Sequence, residues 1–426
     1  MDISNKLSET ITQILSELTG KPVEASLVTL QDTRKEFPGD LTLVTFPLTK
    51  LGLGKPEEIG EKVGQALLGR MAEVRAFNVV KGFLNIEFSD AHWLGRLTEI
   101  AKPSWLSITE GQGRKVAVEF SSPNTNKPLH MGHLRNNFLG YSVCKIMESC
   151  GYEVVRTCLV NDRGIAICKS MLMYLKHGNG ETPASTGKKA DHFVVDYYVR
   201  FGRDNKVQAA ELAAAQNIPL EEADTKTPLM EEAREMLRRW EAGEPETMAL
   251  WKQMNDWVYE GFAATYDRIG VKFDKIYYES ITWKLGNEIV DEGLAKGVFY
   301  QEADGSVWID LTADGLDKKV LRRRDGTSVY MTQDLGTASL RAEELGVEKM
   351  TYVVGNEQDY HFKVLFLILK KLGRAWADGL YHLSYGMVEL PKGQGRIKTR
   401  DGDGADADNV IDGVVQAAAE VTAELG

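Results

Sequence analysis

The chain has 426 residues, 27% of them charged, with a formal net charge of −11. This length allows roughly two to four domains and a core that needs no disulfides. A net negative chain can grip a polyanion only through basic residues gathered on one face, and no apolar run approaches the ~20 residues of a membrane span. The N-terminus lacks the apolar core of an export signal. Cys144, Cys150, Cys158 and Cys168 form no C-x-x-C pair, and no histidine stands at a zinc-ligand offset from them. Buried, reduced thiols in a cytoplasmic protein are expected, with no metal site.

Apolar residues at Ile3, Leu7, Ile11, Ile14, Leu15 and Leu18 have helical spacing, and Gly20 and Pro22 end that helix. Phe37-Pro38-Gly39-Asp40 reads as a turn and Leu43 to Phe46 as a strand. Pro56 opens a helix to about Leu68, and Val79 to Phe88 reads as a strand pair broken by Gly82. A small α/β domain is expected over 1–108.

From Lys115 the pattern changes. Val116 to Phe120 reads as a buried strand, Ser121 to Leu129 as a loop, and Leu134, Phe138, Leu139, Val143 and Ile146 as one face of a helix closed by Gly151. A strand over Tyr152 to Val160 completes a parallel βαβ unit. Ligands of such sheets bind beyond the carboxyl ends of the strands, which is where Ser121 to Leu129 falls. Residues 177–260 are charged, rich in Ala and Glu, and read as a helical insertion packed outside the sheet, with Arg238 and Arg239 on a solvated face. The α/β alternation resumes at Asp274, with strands near Ser306–Asp310, Met350–Gly355 and His382–Leu390 and an apolar helix from Gln358 to Leu372. A Gly-rich charged loop and a last helix follow.

The string Ser121-Ser122-Pro123-Asn124-Thr125-Asn126-Lys127-Pro128-Leu129-His130-Met131-Gly132-His133-Leu134-Arg135 joins the first strand to its helix. His130 and His133 share a face of the helix start, where free N–H groups favour anions, and Gly132 lets a flat base come close. Neither a dinucleotide fingerprint, a P-loop nor H-E-x-x-H is present there.

In this context H-x-G-H resembles the "HIGH" signature of class I aminoacyl-tRNA synthetases. The longer string, from Ser-Pro-Asn through Lys127 to Leu-Arg, resembles the arginyl-tRNA synthetases in particular. Arg396-Ile397-Lys398-Thr399-Arg400 resembles their degenerate "KMSKS" loop. Asn161-Asp162-Arg163-Gly164, the run from Trp257 to Phe273, and Gly82-Phe83-Leu84-Asn85-Ile86 also fit the family.

The resemblance implies a parallel-sheet, Rossmann-like catalytic domain over 109–395 with the insertion at about 177–260. It implies that 1–108 is an N-terminal tRNA-binding domain and that 396–426 holds the second loop and the start of a helical region. The helical anticodon-binding domain would be missing, leaving a C-terminally truncated catalytic fragment. The implied reaction activates L-arginine with ATP and transfers it to tRNA(Arg), with Mg²⁺ held mainly through ATP and with no DNA or membrane partner. His130, His133, Lys127, Lys398 and Arg400 would be catalytic. His130, Gly132, His133, Met387 and Lys398 would bind ATP. Arginine would be held by Ser122, Asn124, Glu279, Tyr330, Asp334 and Gln358, the carboxylates matching its guanidinium donors. Two alternatives stay open: a non-catalytic tRNA-binding paralogue, and a class I nucleotidyltransferase with another substrate.

Overall fold

Hydrophobic spacing builds the first part of the chain as expected. Helix α1 (Ile3–Thr19) buries Leu7, Ile11, Ile14 and Leu15. They meet Leu43, Leu84 and Ile86 of an antiparallel sheet and Ile59, Val63 and Leu67 of a second helix. The strands are β1 (Leu30–Asp32), β2 (Leu41–Val44), β3 (Val74–Val80) and β4 (Phe83–Phe88), with α2 (Pro56–Arg70) after β2, α3 (Asp90–Ile100) after β4 and sheet order β1-β2-β4-β3. Lys81 and Gly82 turn the β3–β4 hairpin with φ of 48° and 80°. Two left-handed residues in a two-residue loop match the twist of the flanking strands. The strand expected at Leu43–Phe46 stops at Val44, because Pro47 opens a short 3-10 turn over Phe46–Leu51.

The computed structural model describes residues 3–102, 110–388 and 406–425. It divides into two units, 1–107 and 108–426. The second unit runs β5 (Lys115–Glu119), α4 (Met131–Ser149), β6 (Glu153–Val160), α5 (Ile165–His177), α6 (Pro183–Thr186), α7 (Ala190–Gln216), α8 (Leu220–Asp224), α9 (Pro228–Glu241), α10 (Pro245–Arg268), β7 (Lys275–Tyr278) and α11 (Glu279–Thr282). It continues with α12 (Gly286–Ala295), β8 (Tyr300–Gln301), β9 (Val307–Ile309), β10 (Lys319–Arg322), α13 (Tyr330–Leu345), β11 (Lys349–Gly355), α14 (Asp359–Lys371), β12 (Leu380–Tyr385) and α15 (Ala407–Leu425).

The main sheet is parallel throughout, in the order β12-β11-β5-β6-β7. The chain leaves β5 toward β6 and returns to pair β11 on its other side. That reversal opens a crevice at the carboxyl ends of β5 and β11. Alternation along β5 sends Ala117 and Val118 into the hydrophobic layers on opposite faces.

Two expectations need correction, on helix α4 and on the strand near Ser306–Asp310. Helix α4 does not bury its most apolar stripe: Phe138 is 50% and Ile146 62% exposed, while Leu134, Asn136, Asn137, Gly140 and Cys144 face inward. Two asparagines are buried because the strand end they meet carries polar backbone that needs partners. The helical insertion packs on one face of the sheet and shares its core. Phe193, Val194, Tyr197 and Phe201 of α7 share one continuous apolar cluster with Val118 and Phe120. The strand near Ser306–Asp310 belongs to a separate antiparallel sheet of order β10-β9-β8, not to the parallel one. Arg238 and Arg239 lie on a solvated face, ion-paired to Glu231, Glu235 and Glu244.

Candidate active site

The site starts with strained backbone. Ser121 and Ser122, just past β5, adopt φ of 78° and 45°, a left-handed conformation that costs energy for residues other than glycine. The asparagines of α4 hold it. Ser121 N–H donates to Asn136 Oδ1 at 2.5 Å, and Asn136 Nδ2 donates to Val353 O at 2.7 Å and Tyr385 Oη at 2.8 Å. Asn137 Nδ2 donates to His133 O at 2.8 Å and to Ser121 Oγ at 3.3 Å. One helix turn thus ties β5, β11, β12 and the His turn together. The sequence signal was two adjacent amides inside a helix's buried stripe, and reading the apolar face alone missed it.

His130 is the N-cap of α4 and His133 stands one turn on. Gly132 N–H donates to His130 Nδ1 at 3.1 Å, and His130 N–H donates to His133 Nδ1 at 3.1 Å. The rings lie 4.0 Å apart. With both Nδ1 atoms accepting, each neutral ring carries its proton on Nε2 and presents a donor there. Burial lowers the pKa of both, His133 well below the usual range, and the positive Lys127 adds to it. Two neutral N–H donors at a helix N-terminus, with Lys127 within electrostatic reach, form an anion site. A Cβ at Gly132 would sit 2.8 Å from His130 Cε1, so the folded-back ring requires glycine there.

A cavity at the β5–β11 crevice is lined by Ser122, Asn161, Tyr330, Asp334, Gln358 and His361. Four of the six residues assigned to arginine by resemblance, Ser122, Tyr330, Asp334 and Gln358, therefore meet in one space. Tyr330 and Asp334 stand one turn apart on the same face at the start of α13, as their spacing implied. His361 Nε2 stands 2.6 Å from Asp334 Oδ2, a pairing the sequence did not suggest. Burial raises Asp334, opposed by His361. Asn124 is bridged in parallel to Asn161 at the end of β6, with Thr125 N–H donating to Asn161 O at 3.1 Å.

Glu279 begins α11 at the carboxyl end of β7. It does not line that cavity, but Asp334 is close enough to help raise its pKa. Burial is the main cause, Arg163 opposes it, and the carboxyl is pushed up to about 7. Asp162, 1% exposed, locks this corner: it accepts from Ser280 N–H at 2.8 Å, Ser280 Oγ at 2.6 Å and Tyr259 Oη at 2.8 Å. In the wall of the same cavity Glu119 pairs with Arg341, both buried, and the Arg341 guanidinium lies 4.9 Å from the Tyr277 ring centre. Neither was singled out from sequence, because an acid closing a strand and an arginine inside a helix look like surface residues until folded.

Met387 follows β12 and its sulfur stands over Gly355, 3.1 Å from where a Cβ would be. Lys398 and Arg400 lie outside the described residues. Cys144, Cys158 and Cys168 are buried and Cys150 half-buried, all free, and burial pushes the first three thiols up to about 12. Among the described residues no helix is long and apolar enough to cross a membrane.

The family described as tRNA synthetases class I (R), catalytic domain, matches residues 98–425. The arginine–tRNA ligase of Bacteroides thetaiotaomicron is 53% identical across 100% of this chain, which spans 71% of that protein. The chain belongs to the class I arginyl-tRNA synthetase family. The Porphyromonas gingivalis arginine–tRNA ligase is 50% identical, again across 100% of this chain and 71% of the relative. Among solved structures, the arginyl-tRNA synthetase of Thermus thermophilus shares the fold with a TM-score of 0.64 at 23% identity, covering 99% of this chain and 71% of that one. The class I assignment accounts for a parallel sheet whose first strand leads directly into the His turn.

Proposed function

We propose that this synthetase-family chain works as an arginine–tRNA ligase, activating L-arginine with ATP and transferring it to tRNA(Arg). The observation that carries the reading is a partly enclosed acidic cavity, Asp334 with Glu279 in electrostatic range, at the same sheet end as two neutral histidine donors. A cationic side chain stabilises both carboxylates in their charged form, which burial alone disfavours. Neutral donors suit a triphosphate whose negative charge grows during reaction.

The arginine carboxylate attacks the α-phosphorus in line, the bond to the bridging oxygen breaks, and pyrophosphate leaves. Asn124 and Ser122 hold the amino and carboxylate ends, Asp334 and Glu279 the guanidinium, Tyr330 walls the pocket and Gln358 contacts the substrate. His130 and His133 donate from Nε2 to phosphate oxygens, while Lys127, Lys398 and Arg400 neutralise charge. Met387 and Gly132 border the nucleotide. A ribose hydroxyl at the tRNA 3′ end then attacks the adenylate carbonyl and AMP leaves.

Mg²⁺ supplies charge neutralisation across the phosphates. The groups at the His turn are ring and backbone N–H donors and Lys127, with the Asp406 carboxylate beside His130 already paired to His192, so the ion would be held mainly through ATP. Residues 1–108 serve tRNA binding, and the setting is cytoplasmic. Isotope exchange between pyrophosphate and ATP tests the reading: exchange that requires both arginine and tRNA(Arg) is expected in the full-length protein, and exchange with another amino acid but not arginine refutes it.

A further inference from the structure

Past the second signature loop in sequence, the chain comes back to the His turn. Ala407 N–H donates to Leu129 O at 2.9 Å, and Asp406 bridges His130 in antiparallel fashion. Ala407 is fully buried. The flanking carboxylates enter a charged seat on the insertion helices. Asp408, 8% exposed, lies 2.8 Å from Lys189 Nζ and accepts from Arg268 Nη1 at 2.9 Å and Thr265 Oγ1 at 3.1 Å. Lys189 Nζ also donates to Thr265 Oγ1 at 2.7 Å and pairs with the buried Asp191 at 2.9 Å. Asp406 Oδ2 is 3.0 Å from His192 Nε2, and Asp406 caps α15 by accepting from Asn409 N–H at 3.0 Å.

Asp191, His192 and Asp408 could also be read as metal ligands, since their donor atoms lie within 4.8 Å of one another. The cations Lys189 and Arg268 already occupy the positions that neutralise these acids, so the cluster is an ion-pair lock.

We infer that Asp406–Asp408 is a positioning latch that holds the His130–His133 turn through Leu129 and couples it to helices α7 and α10. His130 is both the cap of α4 and the bridge partner of Asp406, so releasing the latch frees the cap and lets both Nε2 donors drift. Displacements near 1 Å at such a site cost about 10²-fold in rate. Asp406 and Asp408 touch no reacting atom in this arrangement and act only through Leu129 and His130. The inference rests on the reading of the His pair as ATP ligands.

The test uses Asp408→Asn with two readouts: residue-resolved amide hydrogen exchange, and calorimetric affinity for a non-hydrolysable ATP analogue. Exchange at Leu134, whose N–H donates to His130 O at 3.0 Å, and at Ala407 should quicken at least tenfold, with β11 amides within twofold. Affinity for the analogue should fall at least fivefold, and Asp408→Glu should recover part of both changes. Faster exchange without weaker nucleotide binding overturns the latch, as does weaker binding without faster exchange, or neither change. If Asp408→Asn does not fold, Asp406→Ala, which loses the His192 and Asn409 contacts, decides by the same criteria. Failure of the ATP-site reading shows separately, as absence of analogue binding in the unaltered protein.

Discussion

His361 Nε2 stands 2.6 Å from Asp334 Oδ2, and the Tyr330 ring lies 5.3 Å from the His361 ring. This pairing gives a partly buried carboxylate one polar partner before any substrate arrives and leaves its second oxygen for another donor. His361→Leu removes that partner, and losing a hydrogen bond to a charged group costs about 1.5–3 kcal/mol. Arginine affinity measured by calorimetry should therefore fall about tenfold or more. Unchanged or tighter binding would mean that His361 competes with the guanidinium instead of supporting Asp334.

Glu279 should make arginine binding pH-dependent. Its carboxyl titrates near 7 in the folded protein, and guanidinium binding requires the ionised form. Below pH 7 a proton must leave before arginine is held, so the apparent Kd should rise by up to about tenfold per pH unit. Glu279→Gln should bind weakly and lose this slope. A titration in which the unaltered protein holds arginine equally well at pH 5.5 and 8 would contradict the assignment.

The His pair yields a spectroscopic expectation. Both Nδ1 atoms accept backbone N–H groups, so ¹⁵N chemical shifts should show the Nε2–H tautomer and no protonation near 6.5. Because the folded-state pKa of His133 is depressed, its contribution to stability is present above the unfolded value of about 6.5 and is lost as pH falls toward the folded value. His133→Ala should flatten that part of the stability curve. If the ring donates in the transition state, turnover should also drop by about 10² or more. A His133 resonance titrating at its ordinary pH would sink this part of the account.

Gly132→Ala tests the turn by sterics alone. The added methyl meets the His130 ring at 2.8 Å, and that ring is held by its own cap bond to the Gly132 N–H. Rotating the ring away sacrifices an N-cap worth about 1 kcal/mol. Weaker ATP-analogue binding with arginine affinity within twofold is the expected calorimetric result. Equal losses for both ligands would instead indicate general damage to the fold.

Much of the fold could be read from sequence where one physical signal dominated. The buried face of α1 followed from apolar spacing, and β5–α4–β6 from a buried run, a loop and a helix. The residues assigned by resemblance around α13 met in one cavity because a Tyr-x-x-x-Asp pair on a helix must share a face. What escaped were polar groups whose partners are distant in sequence. Asn136 touches Val353 and Tyr385, Glu119 meets Arg341, and Asp408 meets Lys189 and Arg268. Nothing local distinguishes such residues from solvated ones. The extent to which the insertion shares the main core was hidden for the same reason, since its surface is charged and its apolar residues are sparse.

The most direct measurement is a crystal structure of the protein with arginine and a non-hydrolysable ATP analogue. The guanidinium should lie against the Asp334 and Glu279 carboxylates, the amino-acid carboxylate toward Asn124, and the phosphates within hydrogen-bond reach of both histidine Nε2 atoms. Arginine bound elsewhere, or a nucleotide that leaves His130 and His133 untouched, would contradict the account.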